Sequence, residues 1–262
     1  MAKVVRGIGA ERPDDVEPAP PLPPPPVPPS PPPLTSFADF HIENLSDRYR
    51  MHQVQYHNSI YVVDWSKELL ERGKSKTQQE WMTATQGSEW KVPNLQLYHA
   101  TLRTLYQHRE HPVKEQNKMV EVLRQMFKTD FEPAKPYMMT STRIKYTARA
   151  DDIVTHDVGY ATARKLTVSL VGLNAWINAS SGLEKQMDAL LGSRDLAEIE
   201  TVYEWINGKK PYFYMFNQRP KQDKERAAVL GCDDDRFNIS DYDVVVIGDG
   251  PSRGVVVSAL KK

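Results

Sequence analysis

Cysteine is nearly absent from this 262-residue chain, with Cys232 the only one. A single thiol excludes a disulfide framework and a cysteine-based zinc module. No apolar run reaches the roughly 18 residues that a membrane-spanning helix requires. Net charge is also missing: 34 lysines and arginines balance 34 aspartates and glutamates. That balance removes the broad basic field expected of a non-specific polyanion binder. Proline is scarce over most of the length, with seven residues between Leu34 and Lys262. The other 13 of the 20 fall between Pro13 and Pro33.

That contrast divides the chain. Residues 1–36 form a proline-rich arm, expected to be disordered with polyproline II character, because proline lacks the amide donor and blocks helix before it. The N-terminal residues carry no apolar segment long enough for a secretory signal. Acids at Glu11, Asp14, Asp15 and Glu17 argue against a transit peptide, so the chain reads as intracellular and cytoplasmic. Residues 37–131 read as mostly helical and 132–262 as α+β, two regions compatible with one domain.

Local patterns support this division. Ile60 to Val63 reads as a short strand, and Asp64 or Ser66 as the start of a helix ending at Gly73. Thr77 and Glu80 have capping-box spacing, so a helix follows through Trp81. Asn94 caps a helix in which Leu95, Tyr98, Leu102 and Leu105 recur at helical intervals. Pro112 suits the first turn of the next, whose apolar face is Met119, Val120, Leu123, Met126 and Phe127. Strands are expected at Thr140 to Tyr146, Asp152 to His156, Leu166 to Val171, Pro211 to Phe216, Ala227 to Leu230 and Phe237 to Ile239. Two helices, Gly182 to Leu191 and Asp195 to Ile206, stop at Gly192 and Gly208. The expected fold class is therefore α+β: a disordered arm, a mostly helical first half, and a mostly antiparallel sheet with two helices in the second.

Chemistry-bearing motifs are few. Tyr242 to Pro251, with Gly248 and Gly250, resembles the dinucleotide fingerprint of flavoprotein oxidoreductases. The resemblance covers ten residues. Arg253 stands at the third glycine position, and Val255-Val256-Val257 favours strand where the motif needs a helix to face the pyrophosphate. The segment reads instead as a β-hairpin internal to a sheet, Val244 to Ile247 pairing with Val255 to Leu260. His108 and His111 lie three apart beside Glu110, but Pro112 follows at once and helix-end histidines are commonly exposed. Cys232 has no base beside it, and Asp233-Asp234-Asp235 reads as a solvated turn. No metal or cofactor is expected.

Three functional readings remain. The leading one is a non-catalytic binding or assembly protein that meets a protein partner through the arm or the sheet surface. Pro23, Pro26, Pro29 and Pro33 lie in P-x-x-P frames that serve as a pre-extended ligand or a stiff spacer. The second is nucleic-acid binding through Lys209, Lys210, Tyr212, Tyr214, Arg219 and Lys221, where cations flank an aromatic strand over 209–221. The third is hydrolase-type chemistry by Asp152, His156 and Asp157, the densest acid–histidine group in the chain.

Overall fold

The computed structural model describes residues 39–133, 135–157, 164–215, 217–243 and 250–259. The arm expected over residues 1–36, including Pro23, Pro26, Pro29 and Pro33, lies outside these residues, as does Val244 to Ile247.

The fold is α+β, with 11 strands in two sheets and five α-helices among the described residues. The first half contributes three strands, β1 (Ile42–Asn44), β2 (Arg48–Tyr56) and β3 (Ser59–Leu69). Three helices follow: α1 (Gln78–Ala84), α2 (Leu95–Gln107) and α3 (Lys114–Asp130). Next come β4 (Met138–Tyr146), β5 (Asp152–His156), β6 (Arg164–Val168) and β7 (Asn174–Trp176). Helices α4 (Glu184–Leu191) and α5 (Leu196–Asn207) precede β8 (Pro211–Tyr214), β9 (Lys224–Cys232), β10 (Phe237–Asp243) and β11 (Arg253–Ala259).

Capping chemistry sets the helix ends where the side chains are right for it. Thr77 and Glu80 form a reciprocal capping box on α1. Asn94 accepts from the Leu97 amide on α2, and Asp195 from the Glu198 amide on α5. Gly192 and Gly208 end α4 and α5 at φ 74° and 77°, the left-handed stop that glycine adopts without strain. Pro112 sits just before the N-cap Val113, so α3 begins later than its proline implied.

The helix expected from Asp64 to Gly73 does not form. Its residues continue β3 to Leu69 and end in a tight turn, Leu70–Gly73, in which Glu71, Arg72 and Gly73 take φ of 46°, 59° and 77°. Asp64 looked like a helix cap, but it is buried between Arg50, at 2.8 and 3.0 Å, and Arg48, at 3.3 Å. Pairing with β2 on one side and β11 on the other overrides the local preference.

The four-stranded sheet runs β1-β2-β3-β11, antiparallel throughout. The hairpin expected between Val244 to Ile247 and Val255 to Leu260 has its first strand outside the described residues. Among the described residues β11 stands at the edge of this sheet, pairing with β3 through Val257↔Val63 and Val255↔Trp65. The seven-stranded sheet runs β6-β5-β4-β9-β10-β8-β7, with β8 and β10 its one parallel pair.

Buried side chains from Phe40 to Val255 join in one apolar cluster. α2 lies at its centre, touching β2, β4, α3, α4 and α5, so even its polar residues Gln96, His99, Thr101 and Thr104 are buried. Alternation along β9 sends Ala228 and Leu230 into this cluster. Ala227 and Val229 point the other way, to a smaller one with Trp81, Val92 and Met139.

Candidate functional site

The acid–histidine group is absorbed by the fold. Asp152 is fully buried on β5, and one of its oxygens accepts from Arg219 at 2.5 Å. The same carboxylate accepts from the amides of Thr147, at 3.3 Å, and Leu170, at 2.9 Å. His156 shares its face two pleats on. Its Nε2 meets the Ala189 carbonyl at 2.7 Å, which fixes the proton there, and its Nδ1 accepts from the Thr142 hydroxyl at 2.9 Å. The Asp157 backbone carbonyl accepts from the Ser141 hydroxyl. His156 thus ties α4 to the sheet through Nε2 and β5 to β4 through Nδ1, while both oxygens of Asp152 hold loops.

The glycine motif has an equally structural use. Gly250 and Gly254 do not take positive φ. They permit close approach instead: a Cβ on Gly250 would stand 2.3 Å from the Tyr137 carbonyl, and one on Gly254 would stand 2.8 Å from the Trp90 ring. The Gly250 carbonyl accepts from the Trp81 indole at 2.7 Å. Arg253, at the third glycine position, is a buried clamp. It makes two bonds to Asp130 at the end of α3, 2.6 and 2.7 Å, and two more to the carbonyls of Ser66 and Lys67 on β3.

The histidines after α2 are buried rather than exposed. Phe40 stacks on His108 with centroids 3.8 Å apart and tilts over His111 at 6.0 Å. His108 Nδ1 donates to the Thr104 carbonyl, and burial holds this imidazole below its ordinary pKa. Glu110 points away to solvent. Cys232 is buried as well, which pushes its thiol up to about 11, away from nucleophilic use.

The basic–aromatic segment separates into two sets. Phe213 and Met215 enter the core, while Tyr212 and Tyr214 point out on the other face of β8. Most of its cations have acidic or carbonyl partners. Lys210 pairs with Glu200 at 2.9 Å, Lys209 reaches the Asp233 carbonyl at 2.5 Å, and Arg219 is held by Asp152 and the carbonyls of Thr147 and Ala150. Lys221 is exposed.

The outward rings belong to a larger surface. β7 brings Trp176 opposite Tyr212 and Asn174 opposite Tyr214. β10 adds Asn238 beside Tyr212 and Ser240 beside Tyr214. Trp176 is 42% exposed and Tyr214 49%. Trp176 meets the Tyr212 ring edge-on at 5.2 Å, and the Arg236 guanidinium lies over Tyr212 at 4.8 Å. Next to this ridge is a cleft of about 300 Å³ lined by Tyr137, Tyr214, Asp233, Arg236, Asn238 and Ser240. Its wall depends on Gly231, where a Cβ would stand 2.2 Å from the Tyr137 ring. The Tyr137 hydroxyl donates to Asp233 at 2.7 Å and accepts from Asn238 at 2.8 Å, so the tip of the ring is held by two bonds. Arg236 faces Asp233 and Asp235 at 3.6 and 3.3 Å, and Asp241 also lines the cleft, so carboxylates outnumber the guanidinium around it.

A second group was missed in the sequence. His41, Glu43 and His52 gather at the corner of β1 and β2, with ligand atoms all within 4.8 Å of one another. The signal was present as His41-Ile42-Glu43, whose spacing puts both side chains on one face of a strand. The period was obscured because residues 37–61 show no clear strand pattern.

No protein-family model, curated protein or solved structure matches this chain. Among the described residues, no helix is long and apolar enough to cross a membrane.

Proposed function

We propose that this protein is a non-catalytic binding or assembly protein, intracellular and cytoplasmic, which engages an extended segment of a partner protein on the outward face of β7, β8 and β10. The observation that carries this reading is the exposed Trp176–Tyr212–Tyr214 ridge beside a polar cleft. Large half-exposed aromatics in contact with an arginine are the residues that dominate protein–protein binding energy. Perpendicular rings form slots for extended chain, and the cleft offers hydroxyl, amide and guanidinium groups for a peptide's carbonyls. The proline block between Pro13 and Pro33 supplies a second contact of the same kind, as a ligand for another protein's aromatic groove.

Nucleic-acid binding is the second reading, because Lys221 and the two outward tyrosines remain available. The partners of Lys209, Lys210 and Arg219 weigh against it. Hydrolase-type chemistry is third, and the bonds made by Asp152 and His156 weigh against that.

Trp176 is a built-in probe. Titrating the full chain with a proline-rich peptide is expected to shift tryptophan emission saturably, and Trp176→Phe and Tyr214→Ala are expected to remove the shift. A single-stranded oligonucleotide that binds instead, with affinity falling steeply in salt, favours the second reading. No response to either probe retires this face as a recognition surface.

A further inference from the structure

We infer that His41, Glu43 and His52 form a binding site for one divalent transition-metal ion of the zinc class. The donor set is two imidazoles and a carboxylate, the kind that favours borderline metals over the all-oxygen preference of magnesium or calcium. The strand register builds it. The His52 amide donates to the His41 carbonyl at 3.0 Å, so the two histidines stand opposite each other across β1 and β2. Glu43 follows two residues on, on the face that carries His41.

The spacing suits a single ion. Glu43 Oε1 lies 2.7 Å from His52 Nε2 and 3.6 Å from His41 Nε2. Ligand atoms about 3.3 Å apart follow from tetrahedral geometry with bonds of roughly 2.0–2.1 Å. The carboxylate now accepts the proton of His52, and an ion would take that proton's place. The imidazole rings stack at 3.8 Å with 17° between planes, so their nitrogens point in similar directions. Convergence on one ion requires one ring to swing, and His41 is the more exposed at 46%, held by a long 3.4 Å bond from Nδ1 to the Asp39 carbonyl. His52 is the fixed partner at 19% exposure. It sits beside a β-bulge between Met51 and Val54, where Gln53 takes φ 63° and the β2–β3 ladder is interrupted.

Three protein donors leave a fourth tetrahedral position for water or an added ligand. Coordination also has a local mechanical effect. β1 is a three-residue edge strand, and an ion held by both strands pins it to β2. This site lies on the four-stranded sheet and does not rest on the aromatic face of the other one.

Calorimetric titration of the full chain with Zn²⁺ tests the inference. One-to-one binding is expected, weakened at least about tenfold in both His41→Ala and Glu43→Gln. Co²⁺ is expected to give visible d–d absorption that both variants lose, with Mg²⁺ failing to compete. His41 and Glu43 are partly exposed, so both variants are expected to melt with the unmodified chain before metal is added. One-to-one binding absent from the unmodified chain, or retained at full affinity in both variants, overturns the site.

Discussion

The seven-stranded sheet has two faces that use the same residue types in opposite ways. On the face covered by α2, α4 and α5, polar and aromatic groups are taken out of water. Tyr203 packs on Phe237 at 4.7 Å, and His99 stacks on Tyr203 at 5.8 Å. On the other face, along β7, β8 and β10, rings and polar groups reach solvent in the Trp176–Tyr212–Tyr214 ridge. One strand serves both, since β8 sends Phe213 inward and Tyr212 and Tyr214 outward. An aromatic-rich strand is therefore not in itself a binding strand. Alternation assigns half its rings to the core and turns the other half towards solvent.

The contrast is broken most severely from the covered side. Phe237→Ala is expected to cost about 3–5 kcal/mol, because Phe237 is fully buried and packs against Phe131 as well as Tyr203. Denaturant unfolding with an unchanged m-value measures it. Gly231→Ala comes next, at up to about 3 kcal/mol, since the new methyl overlaps a Tyr137 ring whose hydroxyl is held by two hydrogen bonds. This substitution also deforms the cleft, so a peptide that binds there is expected to lose affinity together with the stability change.

A pH titration sharpens the comparison further. Burial holds His99 down to about 3 from its ordinary 6.5, and Arg103 adds to this. The unfolded chain takes up a proton near pH 6.5 while the folded chain does not. Stability contributed by the neutral ring is therefore complete above pH 6.5 and declines as pH falls towards 3. The loss reaches about 2 kcal/mol by pH 5. His99→Met is expected to flatten that part of the stability–pH curve. A curve unchanged by the substitution contradicts the assignment. The smallest effect belongs to the open face. Tyr214→Ala is expected to alter stability by no more than about 0.5 kcal/mol, with its consequence confined to ligand binding.

The parts of this fold legible in the sequence are the local ones. Thr77 with Glu80, Asn94, Asp195, Gly192 and Gly208 each act within a few residues of their own position, so their reading as caps and stops holds in the structure. The candidate surfaces were legible only in part. Tyr212 and Tyr214 stood out as aromatics near cations, whereas Trp176 gave no signal, because its place beside Tyr212 depends on pairing between strands some 36 residues apart. Arg253 was read only as a misfit in a glycine motif, yet it clamps Asp130 from a position 123 residues away.

By itself, the sequence determined the α+β composition, the positions of the helices after Gly73, most strand positions and the exceptional character of the Pro13–Pro33 block. These follow from side-chain periodicity, capping donors and the missing amide of proline, all of which act over a few residues. Only the tertiary structure decided that β11 closes the sheet begun by β1, that Asp64 belongs to a strand, and that His41, Glu43 and His52 meet. Strand register and buried ion pairing depend on which distant segments exclude water from each other, a choice made by the whole core and not by any window of the chain.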